Sequence, residues 1–152
     1  MRVMLLCTTL IVAMGCGEKK VPVTSQGGQS AAPAPPSPPT GPVVDVRMTG
    51  DGTSKAAFEP SALRIAPGTV VRFINVSGGP HNVAFWPDSV PPGGRDALKS
   101  GMPDQMTALT GPFLTQANEH YDVSFGGASS GMYVGYCQPH LVLGMRIVIT
   151  VK

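Results

Sequence analysis

Within one ten-residue run, Tyr136-Cys137-Gln138-Pro139-His140-Leu141-Val142-Leu143-Gly144-Met145, the chain places a thiol, an imidazole and a thioether. The spacing is Cys-x2-His-x4-Met. Strand-like sequence borders it on both sides: Met132-Tyr133-Val134-Gly135 leads in, and Ile147, Ile149 and Val151 extend, at period two, the face that Met145 begins. A second imidazole, His81, stands far upstream behind Ser77-Gly78-Gly79-Pro80. A lone cysteine or methionine in such surroundings is ordinarily core packing. A buried imidazole, however, needs a hydrogen-bonding or metal partner, and the chain has only three histidines. A fold that uses both His140 and His81 must join two strands through the Cys137–Met145 loop and deliver His81 to it from a neighbouring strand. The third histidine, His120, opens a strand-like run after Asn118-Glu119 and has no assigned role.

The donor set decides the metal. Thiolate and thioether are soft ligands, imidazole suits copper, and two histidines with one cysteine and a weak axial methionine form the electron-transfer type of copper site. The expected ligands are therefore His81, Cys137, His140 and Met145, holding one copper per domain. Such a donor set tolerates both oxidation states with little movement, and its closed shell leaves no position for a substrate, so the site is not that of an enzyme. Pro139 removes a backbone donor beside His140 and limits the freedom of the loop. Met102 and Met106 have no histidine or cysteine beside them and read as loop packing.

The first fifteen residues hold one basic residue, Arg2, and then a mostly apolar run from Val3 to Met14. This is the make-up of an export signal, and it is too short for a membrane span. Its end, Leu10-Ile11-Val12-Ala13-Met14-Gly15-Cys16, resembles the processing box of bacterial lipoproteins, with Ala13 where leucine is usual. The resemblance implies cleavage before Cys16 and lipid on its sulfur. Cys7 would then be lost and Cys16 modified, leaving Cys137 as the one thiol of the folded domain. An unpaired cysteine in an exported protein needs a reason, and metal ligation supplies one. Residues 16–42 include Ala31-Ala32-Pro33-Ala34-Pro35-Pro36-Ser37-Pro38-Pro39, which favours extended polyproline geometry and reads as a semi-rigid stalk between anchor and domain.

Residues 43–152 are roughly 110 positions, an ordinary single-domain length. Short apolar runs alternate with Gly-, Pro-, Asp- and Asn-rich turns. The clearest are Val70-Val71-Arg72-Phe73-Ile74-Asn75, His81-Asn82-Val83-Ala84-Phe85, His120-Tyr121-Asp122-Val123-Ser124-Phe125 and the final Met145–Val151 run. One short helical turn fits between Arg95 and Ser100. About eight short strands with no long helical pattern predict an all-β, two-sheet sandwich. The net charge of +2 gives no sign of a nucleic-acid surface.

Residues 57–151 resemble the blue copper proteins, the cupredoxins, and most closely the plastocyanin–pseudoazurin group. Four patterns carry the resemblance: Phe58-Glu59-Pro60 with Leu63-Arg64-Ile65-Ala66-Pro67-Gly68-Thr69-Val70; Phe73-Ile74-Asn75; Pro80-His81-Asn82-Val83; and Tyr136-Cys137-Gln138-Pro139-His140 through Met145. The resemblance implies a Greek-key sandwich with copper at one end, bound by His81, Cys137, His140 and Met145. It implies that Asn82 ties its strand to the ligand loop and points its amide at the thiolate, and that His140 lies near the surface as the route of the electron. Tyr136 matches the family's tyrosine on a second flank; it is either another electron route or an aromatic on a strand. The acidic runs of plant plastocyanins are missing on that flank, where Asp88, Asp96 and Asp104 are interspersed with Arg95 and Lys99. Leu141 and Leu143 either surround an exposed edge of His140 as an apolar contact patch or pack inward. The function implied is a one-electron carrier between redox proteins such as a cytochrome complex and a terminal oxidase or reductase. It would be lipid-anchored to a membrane, in a bacterial periplasm or at the cell surface. The alternative is a periplasmic copper chaperone or storage protein.

Overall fold

The computed structural model describes residues 41–152; the expected export signal, the expected lipid site Cys16 and the expected Pro-rich stalk lie outside the described residues. Period-two alternation builds the two halves of the core. In β8 (Arg146–Val151) Ile147, Ile149 and Val151 face inward and are buried, while Arg146 is exposed and Val148 and Thr150 half-exposed. β4 (Val70–Asn75) buries Val71 and Phe73, and β6 (His120–Ser124) buries Tyr121 and Val123 in line with Phe125 just beyond it. The remaining strands are β1 (Val43–Gly50), β2 (Ala56–Glu59), β3 (Ala62–Ile65), β5 (Ala84–Phe85) and β7 (Gly131–Tyr136).

They form two four-stranded sheets, ordered β2-β1-β4-β6 and β3-β8-β7-β5. Each sheet is mixed: β1 runs parallel to β4 and β3 parallel to β8, and the other pairings are antiparallel. The all-β sandwich of about eight strands expected from the sequence is the fold observed. Between the sheets, Phe125 meets Phe85 and Tyr133 edge-on, at ring-centroid distances of 6.3 and 5.4 Å; within the first sheet, Phe58 meets Phe73 at 5.8 Å. These contacts add to the burial of large apolar surfaces, each pair by about 0.5–1.5 kcal/mol. On the outer face of the first sheet, Arg72 of β4 and Asp122 of β6 stand opposite each other and form a two-pronged ion pair at 2.8 Å.

Two features depart from the sequence reading. The helix is longer than one turn: α1 (Gly94–Gly101) has eight residues and anchors through buried Leu98. The run from His81 to Phe85 is a regular strand only at Ala84–Phe85. Its backbone does pair on one side, through His81 with Leu114, Val83 with Gly111 and Phe85 with Leu109, but that partner segment is interrupted at Gly111-Pro112 and forms only isolated bridges. Polar–apolar periodicity cannot reveal a partner of this irregular kind.

The turn from β4 to His81 is pinned against the end of β1. Gly78 has φ +75°, and a Cβ there would lie 2.3 Å from the carbonyl carbon of Gly50. Glycine alone meets both conditions. Gly78→Ala is expected to lower stability by about 1–3 kcal/mol, read as a lower urea midpoint with an unchanged slope.

Candidate metal centre

The Cys137–Met145 loop is closed by its own backbone. The Cys137 amide donates to the Met145 carbonyl at 3.1 Å, and the amides of Leu143 and Met145 donate to the His140 carbonyl at 3.0 and 3.2 Å. A single 3-10 turn, Leu141–Leu143, fills the middle and ends at Gly144, whose φ of +82° turns the chain into β8. Three of the four expected ligand residues are thus linked through main-chain hydrogen bonds, in positions that need no ion to define them. Met145 is buried at the base of β8.

His81 arrives from the other side, held by reciprocal backbone bonds with Leu114 at 3.1 and 2.8 Å. Its Nε2 lies 2.9 Å from the Ser77 carbonyl oxygen. A carbonyl only accepts, so Nε2 carries the proton and the Nδ1 lone pair faces the loop. There it lies 3.1 Å from His140 Nδ1 and 3.6 Å from Cys137 Sγ; His140 Nδ1 is 3.5 Å from the same sulfur. The three ligand atoms all lie within 4.8 Å of one another, on buried residues. Two imidazole nitrogens this close, beside a thiol and away from water, face one another favourably only across a shared proton or a cation. The donor set is soft and imidazole-rich, so the residues fit copper.

Burial sets the protonation of the cage residues. It lowers the pKa of His81, with the nearby His140 charge acting in the same direction and the Ser77 carbonyl opposing. It raises the Cys137 thiol above its usual value, while the backbone amides of Asn82 and His140 pull it back. The metal-free protein therefore holds a neutral His81 and a protonated Cys137 near pH 7, and the two amides are already aimed at the sulfur that a metal would ionise.

Asn82 is buried and clamps the two halves of the site. Its Oδ1 accepts from the Gln138 amide at 2.9 Å, and its Nδ2 donates to Gln138 Oε1 at 2.8 Å and to the Gly111 carbonyl at 3.3 Å. Pro139 is exposed beside this clamp. The contribution of Gln138 was not read from the sequence, because an amide next to a cysteine carries no spacing signal.

The apolar triplet after His140 divides. Leu141 and Leu143 are half-buried, Leu143 lining a depression shared with the β1–β2 turn, whereas Val142 is 91% exposed and His140 shows 7% of its surface. The exposed apolar tip is thus Val142, the residue between the two leucines singled out above. On the other flank Tyr136 stacks on Trp86, with ring centroids 4.3 Å apart and planes 26° from parallel; the Arg146 guanidinium lies 5.4 Å from the Trp86 ring centre. Trp86 was missed as a site residue, although it is the sole tryptophan and follows the His81–Phe85 run. His120 is exposed on β6, Met102 is buried in the core and Met106 is 45% exposed; the metal-ligating cluster found among the described residues is His81, Cys137 and His140.

A family model described as copper binding proteins, plastocyanin/azurin family, matches residues 44–152. The chain is 37% identical over 107 residues to a chloroplastic plastocyanin of Physcomitrium patens, covering 70% of this chain and 56% of that one. It is 33% identical over 107 residues to the plastocyanin of Ulva pertusa, covering 70% and 97%. The chain thus spans little more than half the length of the chloroplastic relative. Among solved structures, the oxidized plastocyanin of Dryopteris crassirhizoma superposes with a TM-score of 0.56 at 25% identity, covering 72% of this chain and all of that one.

Because the Cys137 thiol is raised and His81 is neutral, loading the metal-free protein with Cu(II) near pH 7 is expected to expel a proton from Cys137 and none from His81. An indicator dye in weakly buffered solution measures the release, which should be lost in Cys137→Ala.

Proposed function

The chain belongs to the plastocyanin/azurin family of copper binding proteins, and on that premise we propose that its domain is a one-electron carrier whose single copper is held by His81, Cys137, His140 and Met145. The observation that carries this reading is the convergence of three buried donor atoms within 4.8 Å on main chain that is hydrogen-bonded independently of any ion. Copper, when bound, supplies a centre that gains and loses one electron. The protein's part is to keep the donors where both oxidation states accept them. Ser77 holds the His81 tautomer, Asn82 and Gln138 lock the loop to the His81 side, and the amides of Asn82 and His140 stabilise charge on sulfur. With little to reorganise, the transfer barrier stays low. A buried cage also leaves no open position for substrate and no ready exit for the ion, which favours a carrier over an enzyme or a copper-delivery protein.

Electrons would pass at the His140 edge, where Val142 forms an apolar tip. Such encounters belong to the small, weak class of interfaces, which permits rapid release. The donor and acceptor would be redox proteins, such as a cytochrome complex and a terminal oxidase or reductase. The setting would be outside the cytoplasm, in a bacterial periplasm or at the cell surface, with the domain tethered to a membrane through lipid on Cys16. That reading rests on the sequence alone; among the described residues no helix is long and apolar enough to cross a membrane.

The test is the visible spectrum of the oxidised protein. Copper bound to the Cys137 thiolate is expected to give an intense charge-transfer band, absent in Cys137→Ser although that variant still folds. Persistence of the band in Cys137→Ser would remove Cys137 as ligand. For the contact tip, Val142→Asp is expected to leave the band and melting temperature unchanged, because the side chain is 91% exposed. It should slow electron self-exchange by about tenfold or more, as like charges meet in the encounter. NMR line broadening of mixed oxidised and reduced protein measures this rate.

A further inference from the structure

Alternation along β4 turns Val71, Phe73 and Asn75 to the same, inward side. The first two are apolar core. Asn75 is an amide, 3% exposed, at a position where the pattern calls for an apolar side chain. Its Nδ2 donates to two carbonyls, those of Leu114 and Gln116, at 3.1 Å each. Its Oδ1 is buried and has no hydrogen-bond partner among the described residues. Burying an amide in this half-satisfied state is unfavourable. A leucine of similar size would avoid the penalty, so the two donated bonds are what the asparagine contributes.

Those bonds end on the segment that holds His81. The Leu114 carbonyl that accepts from Asn75 also accepts from the His81 amide, at 3.1 Å, and the Leu114 amide returns a bond to the His81 carbonyl at 2.8 Å. That segment meets the His81–Phe85 run through isolated bridges and has no regular strand of its own. Asn75 takes the place of the missing neighbour. Its amide donates to the Glu119 carbonyl at 2.8 Å, and its carbonyl accepts from the Asn118 amide at 2.7 Å. The Glu119 carboxylate in turn accepts from the amides of Thr115 and Gln116, so the whole 114–119 turn is fastened to the end of β4. The His81 ring has the same root, because the Ser77 carbonyl on its Nε2 follows Asn75 by two residues. The intervening turn closes over the carboxamide: a Cβ at Gly79 would lie 3.0 Å from Asn75 Nδ2 and 3.4 Å from the Leu114 carbonyl oxygen. We propose that Asn75 is a positioning residue for the proposed ligand His81, fixing through Leu114 how far the imidazole reaches toward Cys137 and His140, and so which copper oxidation state the cage favours. This rests on the electron-carrier reading above, in which His81 is a ligand. Soft thiolate and thioether donors suit Cu(I), whereas Cu(II) leans more on imidazole. A loosely held His81 therefore weakens the oxidised state first.

Asn75→Leu removes both donated bonds and the unpaired oxygen while nearly keeping the volume. Two measurements on the full-length protein test the proposal. Without metal, amide hydrogen exchange at His81 and Leu114 is expected to quicken by about tenfold or more, while the β8 amides keep their protection. With copper, binding of Cu(II) is expected to fall about tenfold more than binding of Cu(I), which raises the reduction potential by about 59 mV in voltammetry. Ile149→Val is the control, a change at a fully buried core position of β8; it should move neither the potential nor the exchange at His81 selectively. An Asn75→Leu protein that exchanges and titrates like the wild type would overturn the proposal. So would faster exchange with an unmoved potential, since Asn75 would then only support the fold, and so would an equal rise in Ile149→Val. If Asn75→Leu does not fold, Gly79→Ala carries the test. Its Cβ presses on the carboxamide without removing a bond and should move both readouts in the same direction; no movement there overturns the proposal as well. A wild type without the visible band would fail the carrier reading itself, whereas an intact band with both readouts unmoved fails Asn75 alone.

Discussion

Two imidazole nitrogens and a sulfur face one another within about a hydrogen-bond length. Everything else in the domain can be understood as holding that arrangement against its own repulsion. The Ser77 carbonyl, at 2.9 Å, removes the proton ambiguity of His81. Leu114 grips the His81 backbone, and Asn82 fastens the His81 side to the Cys137 side. The loop carbonyl of His140 accepts from two later amides, so the loop keeps its shape for main-chain reasons. An ion added to such a cage neutralises lone pairs that already converge, and it has little backbone to rearrange.

The sandwich makes this possible because most of its core lies apart from the site; of the ligand residues, only Cys137 and Met145 are packed into that core. Phe85, Phe125 and Tyr133 interlock the sheets, and the cage sits where β7 turns into β8 beside the β4–β5 connection. Apolar burial supplies the stability, which leaves a few polar groups free to be placed for chemistry. The same burial favours the neutral form of His81 and raises the Cys137 thiol.

How legible this was depended on how far residue type is dictated. Cys137, His140 and Met145 stood out because soft-metal chemistry admits few side chains and the loop fixes their spacing. His81 stood out because histidine is scarce here and follows a glycine–proline turn. The core faces of β4, β6 and β8 followed from alternation. The segment near residues 107–114 that pairs with His81–Phe85 had no such pattern: it pairs through single bridges around Gly111-Pro112, and only three-dimensional proximity defines it. Gln138, Trp86 and Val142 escaped for a related reason. Their roles come from orientation, from a side chain reaching Asn82, a ring lying on Tyr136 and a valine at the apex of a 3-10 turn, and composition does not encode orientation.

The parallel pairing of β3 with β8, with Leu63 opposite Ile149, sets an order on how the molecule comes into being. Those strands are among the most distant in the chain, and closing so long a loop is entropically slow. β8 is the last of the described strands in chain order, and it carries the downstream end of the Cys137–Met145 loop. Until it docks, Met145 has no fixed place and the loop no floor, so Cys137 and the histidines remain unassembled. The cage therefore closes only once β8 is in place. Any metal captured by these side chains earlier would be held by a flexible chain, whereas metal arriving afterwards meets a shape already decided.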